Sequence, residues 1–523
     1  MPSSIRDRIR MQIYKDKALL LKLRNPNQVL QTIPNSKQVG DSSSVLVKWG
    51  ITEVQTLKKM GISAPSPITQ KYKWPTGRIK PFDHQIVTAA FLTIYKRAFC
   101  FNEQGTGKTA SAIWASDYLL SVGKVNRVLV ICPLSIMESA WRGDLFTFAM
   151  HRTVDIAYGS AKKRTKVIES DAEYVIINYD GIGVVRDAIA AGGFDLIIID
   201  EATHYKTATT DRFKNLKSLI SEDTAVWMMT GTPAAQSPLD AFGLAKIINP
   251  EGVPRFFGTF RDQVMLKINQ FKWIPRETAT QTVFNALQPA IRFTKEECLD
   301  LPEIVYLNRR ADLTPQQRKY YKQLHSEMVI VAQGEEVTAI NAANKMNKLL
   351  QIAGGAVYTD DGEVLEFDIS NRYKVMREVM DETTEKILIF CPYRHTIEVV
   401  SSKLKAEGIT CEVIQGATPV RERGRIISDF QSTPDVRVLV LQPAAAAHGL
   451  TLTAANTIIW WSPISSLETY LQANARIHRA GQVNKCSIVH LEGSDIEHKV
   501  YYMLRNKIDI HTKIIDLYNE TVD

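Results

Sequence analysis

The sequence predicts an α/β protein of two tandem lobes, each a parallel sheet covered by helices, with a helical insert between them and a small α+β region in front. Three observations carry this expectation. From Lys80 to about Ile248 one pattern recurs: a short β-branched run, a polar or glycine-rich turn, then a helical stretch. Parallel strands covered on both faces read as such near-continuous apolar runs. The same alternation restarts at Lys386. Finally, 523 residues are too many for one ordinary domain and suit two large units with smaller attachments. The expected division is 1–78, 79–249, 250–370 and 371–523.

In the first region, Leu19 to Leu23 and Val45 to Val47 read as strands, Asp41 to Ser44 as a turn, and Glu53 to Met60 as a short helix. Residues 1–24 hold seven Lys or Arg against two Asp, which suits a nucleic-acid arm or a solvated tail equally, and leaves a protein partner open for residues 1–78. Strands of the first lobe are expected at Ala98 to Phe101, Arg127 to Cys132, Tyr174 to Ile177, Leu196 to Ile199 and Ala225 to Met229. After Thr109, residues Ala110, Ile113, Trp114 and Tyr118 line one helical face. In the insert, Thr314-Pro315-Gln316-Gln317 reads as an N-cap, a first-turn proline and a capping-box glutamine. It opens a helix with Tyr320, Leu324 and Met328 on one side, and a second helix is expected from Thr338 to Ile352. The second lobe offers strands at Ile387 to Cys391, Cys411 to Ile414, Val436 to Leu441 and Thr457 to Trp461. A helix with Ile397, Val400 and Leu404 on one face stops at Gly408.

Composition excludes several classes. No apolar run approaches the ~18 residues of a spanning helix, and the apolar stretch Ala18 to Leu21 is cut off by Lys22, too short for a secretory signal. A cytoplasmic location is expected. The six cysteines are scattered without a Cys-x-x-Cys pair, which indicates neither a disulfide framework nor a zinc site. A formal charge of +8 permits a polyanionic partner without requiring one.

Three motifs carry chemistry. Gly105-Thr106-Gly107-Lys108-Thr109, preceded by Gln104, stands directly after a strand and before a helix. The backbone N–H groups of such a turn cradle phosphates, while the lysine neutralises charge and the Thr109 hydroxyl ligates magnesium. The fuller phosphate-loop pattern has glycine where this chain has Asn102. Asp200-Glu201-Ala202-Thr203 follows the strand Ile197-Ile198-Ile199. A carboxylate there reaches the same magnesium ion and the next one polarises an attacking water. Gln472, Arg476 and Arg479 are spaced i, i+4 and i+7, which predicts one helix face ending at Gly481 and aimed across a cleft at the γ-phosphate.

From Lys80 to Gln482 the chain resembles the Swi/Snf-type branch of superfamily-two helicases. Pro81 to Gln85 looks like the adenine-recognising motif, Cys132-Pro133-Leu134-Ser135 with Trp141 and Asn178-Tyr179 like strand-tracking motifs, and Thr230-Gly231-Thr232-Pro233 like the coupling motif. Ile291 to Lys295 with Leu301-Pro302 resembles the segment leading to the inter-lobe helices. Gly449 to Ala455 resembles the fifth helicase motif and Gln472 to Gln482 the sixth. The resemblance implies two RecA-like lobes, ATP and Mg2+ as cofactors, a catalytic set of Lys108, Asp200, Glu201, Arg476 and Arg479, and base or nucleotide contacts from Gln85, Gln104 and Gln472. It also implies nucleic-acid contacts at Pro133, Trp141, Asn178, Tyr179, Thr230, Thr232, Arg394 and Thr451. The implied activity is translocation along duplex DNA in a bacterial or virus-infected cell, associated with the nucleoid. A strand-separating helicase on DNA or RNA, single-stranded partners, a nucleotide-gated binding subunit and a restriction-system motor stay open. Departures from the pattern are Thr203, with His204 one place later, where relatives carry histidine; Ala446 and Ala447 at glycine positions; and Thr451 at an asparagine position.

Overall fold

The computed structural model describes residues 10–519 apart from 235, 270–272, 335–338, 359–362 and 447–449. Residues 1–9, the expected helix start at Thr338, the side chain of Met328, and the motif positions Ala447 and Gly449 lie outside what is described.

Residues 10–48 form an antiparallel sheet of β1 (Arg10–Tyr14), β2 (Ala18–Lys22), β3 (Lys37–Gln38) and β4 (Ser44–Lys48) in the order β1-β2-β4-β3. Alternate residues of β2 and β4 are buried, because one face is covered by the helices Pro26–Thr32 and Ile51–Lys59. Leu19, Leu21, Val45, Val47, Trp49, Val54 and Leu57 make a core separate from those of the lobes.

The first lobe holds seven parallel strands: β5 (Arg97–Cys100), β6 (Val128–Cys132), β7 (Val154–Ala157), β8 (Tyr174–Asn178), β9 (Leu196–Ile199), β10 (Ala225–Met229) and β13 (Ala290–Ile291), ordered β13-β5-β10-β9-β6-β8-β7. Every residue of β6 and β9 is buried, which is why their sequences show no alternation. Apolar layers lie on both faces, with Phe99, Leu129 and Ile197 on one side and Ala98, Val130 and Ile198 on the other.

The stretch from 250 to 370 is largely helical, as expected, but it also contributes strands to both lobes. Besides β13, it supplies the hairpin β11 (Met265–Lys267) and β12 (Trp273–Pro275), then β14 (Ile304–Arg310), and the hairpin β15 (Ala356–Tyr358) and β16 (Val364–Glu366). Its long helices are Pro315–Gly334 and Ala339–Gly354, and the first carries the predicted capping box: Thr314 N donates to Gln317 Oε1 at 3.1 Å, and Gln317 N donates to Thr314 Oγ1 at 3.4 Å.

β14 opens the sheet of the second lobe, which continues with β17 (Lys386–Phe390), β18 (Cys411–Ile414), β19 (Val438–Leu441), β20 (Ala455–Trp460) and β21 (Cys486–Glu492). All are parallel, in the order β14-β21-β20-β17-β19-β18. The C-terminal helix Asp495–Asn519 then runs back to the first lobe and packs on the helix Ala279–Ala286. Its Lys507 Nζ donates to Gln236 Oε1 at 2.7 Å in the first lobe and to Ser465 O at 3.2 Å in the second. The two lobes therefore meet along a cleft. All six cysteines are free thiols. No described helix is long and apolar enough to cross a membrane.

Candidate ATP site between the lobes

The turn after β5 wraps the start of the helix Lys108–Ser121. Gly105 and Gly107 take φ of 89° and 84°, the left-handed region where side chains are strained. Space is short too: a Cβ on Gly107 would collide with the Gln85 amide, and one on Gly105 would crowd Arg479 Cβ of the other lobe at 3.2 Å. Lys108 Nζ donates to Asn102 O at 2.8 Å and Glu103 O at 3.1 Å, folding the lysine back over the loop. Asn102 is itself buried, its Nδ2 donating to Thr88 Oγ1 at 2.8 Å, so asparagine in place of glycine braces the loop against the preceding helix. Thr106 Oγ1 donates to Glu103 O at 2.8 Å and Gln104 Nε2 is buried without a hydrogen-bond partner.

Gln85 was expected to read a base. Its Oε1 accepts from Phe82 N at 3.0 Å and its Nε2 donates to Thr106 O at 3.1 Å, so the amide buckles the helix Asp83–Ile94 to the loop while still lining the cleft.

At the end of β9, Asp200 N donates to Ile131 O at 2.9 Å. Its carboxylate accepts from Trp141 Nε1 at 2.9 Å and from Glu201 N at 3.0 Å. Burial pushes the Asp200 carboxyl up, and nearby Lys108 and the Trp141 bond oppose this. Glu201 has φ 47° and ψ 56°, a left-handed conformation costing about 1–2 kcal/mol in a non-glycine residue. Its Oε2 is buried with no partner. Burial raises its carboxyl as well, reinforced by Asp200 and then Glu468.

From the second lobe come Gln472, Arg476 and Arg479. The helix expected to carry all three ends at Asn474, so both arginines sit in the turn beyond it. Arg476 Nε donates to Gln472 O at 2.8 Å, and Nη1 of both Arg476 and Arg479 donates to Leu450 O at 3.0 Å. That shared carbonyl ties the arginines to the segment before Thr451, which is exposed and lines the same cleft. The cavity measures about 480 Å³ and is lined by Gln85, Gln104, Gly105, Gly107, Lys108, Thr109, Asp200 and Glu201 from the first lobe and Thr451, Arg476 and Arg479 from the second.

Several residues expected to touch nucleic acid are engaged within the protein. Trp141 is fully buried in a π-helical turn, Met137–Arg142, with its only polar atom on Asp200. Tyr179 OH donates to Asp200 O at 2.6 Å, its ring lying 4.5 Å from that of His204. Asn178 Oδ1 accepts from Arg164 Nη1 at 2.9 Å. Pro133 is buried; Thr230 and Thr232 are 0 % and 1 % exposed, and Thr232 N donates to Thr230 Oγ1 at 3.1 Å. These side chains brace the strand ends from inside, since a strand covered on both faces directs its flanking residues into protein. Arg394, the first residue of the helix Arg394–Ala406, is exposed.

Four further residues stand at or beside the site in contacts that the sequence did not indicate. Lys295 Nζ donates to His478 O at 3.1 Å and its N–H to Glu103 Oε2 at 3.1 Å, joining the phosphate loop to the second lobe. Burial, with Arg476, Arg479 and Lys108 nearby, lowers its ammonium to about 8 against the pull of Glu103. Asp144 lines the cleft, its carboxyl pushed up to about 6 by burial and Asp200, with Arg479 opposing. Thr203 Oγ1 donates to Glu468 Oε1 at 2.6 Å across the lobes. Thr203 belongs to the acid-pair motif and Glu468 stands four residues before Gln472, but nothing in the sequence joins the two positions.

Among the described residues no three His, Cys, Asp or Glu side chains are gathered as a metal cage. Thr109 and Asp200, both on the cavity wall, suit magnesium instead, an ion that keeps waters and takes the rest of its ligands from substrate phosphates.

Residues 84–355 match the SNF2-related domain and residues 371–481 the helicase conserved C-terminal domain. The chain belongs to the SNF2-related family. A zebrafish (Danio rerio) relative, chromodomain-helicase-DNA-binding protein 1-like, is 25% identical over 479 residues, covering 85% of this chain and 45% of its own. Protein p41 of Acyrthosiphon pisum secondary endosymbiont phage 1 is 25% identical over 452 residues, covering 82% of this chain and 95% of its own. Among solved structures, the Sulfolobus solfataricus SWI2/SNF2 ATPase core in complex with dsDNA is 24% identical with a TM-score of 0.40, covering 83% of this chain and 92% of that one. This SNF2-related chain spans about half the length of the chromodomain relatives it matches.

Proposed function

We propose that this SNF2-related protein is an ATP-driven motor that moves along duplex DNA, hydrolysing ATP in the cleft between its lobes. One observation carries the reading: Lys108, Thr109, Asp200 and Glu201 of one lobe and Arg476 and Arg479 of the other line a single cavity. The loop amides at Gly105 to Thr109 and the helix end behind them hold the β-phosphate, and Lys108 leaves its carbonyls to neutralise the γ-phosphate. Thr109 and Asp200 would hold magnesium, which would supply positive charge to the phosphates. Glu201, its Oε2 unpartnered, orients the attacking water. Arg476 and Arg479 bring positive charge to the γ-phosphate only when the lobes are together, which makes hydrolysis depend on closure; an arginine so placed contributes about 10³ to 10⁵ in rate. A strand held across both lobes is carried along as the cleft closes and reopens. The names of the relatives and the charge of +8 support DNA as the track.

The test is steady-state ATP hydrolysis with no nucleic acid, single-stranded DNA, duplex DNA and RNA, in wild type, Lys108→Ala, Glu201→Gln and Arg479→Ala. The expected result is strong stimulation by duplex DNA, lost in all three variants. Wild type no faster than Lys108→Ala under every condition overturns the motor. Stimulation by RNA or single strands alone replaces the duplex translocase with a strand-separating helicase.

A further inference from the structure

Thr203 and Glu468 are 265 residues apart, yet their side chains share a short hydrogen bond between the lobes beside the cleft, 2.6 Å from Oγ1 to Oε1. On the first lobe, Thr203 is the second residue of the 3-10 turn Ala202–Tyr205, whose N-cap is Glu201 in its left-handed conformation. A turn that starts from a strained residue relaxes unless something outside it holds it. On the second lobe, Glu468 stands in the first turn of the helix Leu467–Asn474, capped by Ser466, and Gln472 Nε2 of the same helix lies 3.5 Å from the same Oε1. One carboxylate oxygen thus gathers the turn of Glu201 and the helix leading to Arg476.

The choice of side chain is informative. Burial raises the Glu468 carboxyl and it adds to the charge already facing Glu201, so an acid here works against folding. An apolar or amide residue would fill the space without that penalty. What a carboxylate adds is a short, charge-assisted acceptor for a hydroxyl, a directional bond that exists only while the lobes are together.

We propose that Thr203 and Glu468 form a latch that fastens the second lobe onto the carboxylate turn and so holds Glu201 in position when the cleft closes. The latch rests on the reading of the cleft as an ATP site. Both are positioning residues: neither lines the cavity, and both act through Glu201. Open lobes release the turn, leaving ATP bound on the first lobe but Glu201 misplaced.

Thr203→Val, Glu468→Gln, their double variant and Thr203→Ser test this with two readouts. The first is hydrogen exchange at 202–205 and 467–474 without nucleotide. Thr203→Val is expected to speed exchange in both segments, and Thr203→Ser to restore it. The second is duplex-stimulated hydrolysis. Each single variant is expected to lower kcat on the order of tenfold with KM for ATP within twofold, and the double variant to be no worse than the poorer single one. Thr203→Ser is expected to recover most of kcat. Unchanged exchange in Thr203→Val overturns the latch, as does a double variant showing the product of the two single losses, or a serine variant no better than valine. If exchange responds as expected while wild type hydrolyses no ATP, the latch stands as an inter-lobe contact and the motor reading fails by itself.

Discussion

Replacing Trp141 with Phe separates two accounts of that residue. The substitution keeps an aromatic ring in a fully buried position and removes the Nε1–H that donates to Asp200 at 2.9 Å. Asp200 then retains the Glu201 N–H, at 3.0 Å, on its carboxylate. A hydrogen bond to a buried charged group contributes about 1.5–3 kcal/mol, and partners that orient a metal-binding carboxylate commonly affect metal affinity by roughly 10- to 100-fold. The two scales agree at about tenfold per 1.4 kcal/mol, so the magnesium concentration for half-maximal hydrolysis should rise at least tenfold. The smaller ring also leaves a void costing about 1–2 kcal/mol, which appears as a lower melting temperature and is independent of magnesium. The assay is a magnesium titration of ATP hydrolysis at saturating duplex DNA, beside DNA affinity measured at two salt concentrations. Unchanged magnesium dependence with several-fold weaker DNA binding would refute the structural account and return Trp141 to the role of a strand contact.

Three other outcomes are expected. His490 is 3 % exposed between Tyr470 and Asn308, and burial pushes its imidazole down to about 3. The unfolded chain therefore binds a proton below pH 6.5 that the folded one refuses, and stability falls with pH from about 6.5 toward 3. His490→Gln should cut the loss between pH 7 and pH 4.5 by about 2–3 kcal/mol in urea melts; equal losses in both proteins would show that His490 does not titrate this way. Arg372 pairs with Glu497 at 2.7 Å with both side chains at most 2 % exposed, and Gly493 N and Ser494 Oγ donate to the same carboxylate oxygen. Arg372→Met should cost about 3–5 kcal/mol by stranding that charge, and the double variant with Glu497→Leu should cost less, as chemical denaturation will show. Gly107→Ala, strained by its φ of 84° and by collision with Gln85, should weaken binding of a fluorescent ATP analogue by at least about tenfold. Unchanged affinity would mean that the loop does not contact phosphate.

Some of this was legible in consecutive residues. β6, β8, β9 and β10 lie between covering helices and so show themselves as unbroken apolar runs, and the phosphate loop is a local turn whose glycines are required by its own backbone. The edges were hidden: β13 has two residues, β7 is only partly covered, and β14, an edge strand paired with β21, has no fully buried residue. The spacing of Gln472, Arg476 and Arg479 suggested a continuous helix, but the Leu450 carbonyl draws the arginines into a turn, and that carbonyl is more than twenty residues away in the chain. A tryptophan after a strand reads the same whether it faces DNA or Asp200, since its apolar ring suits either place. Sequence by itself determined the fold class and the glycine turn between β5 and the helix Lys108–Ser121, because strand burial and turn chemistry act over a few neighbouring residues. Only tertiary structure decided that Trp141 serves Asp200 and that Thr203 meets Glu468, because packing, not chain proximity, chooses which buried donor finds which acceptor.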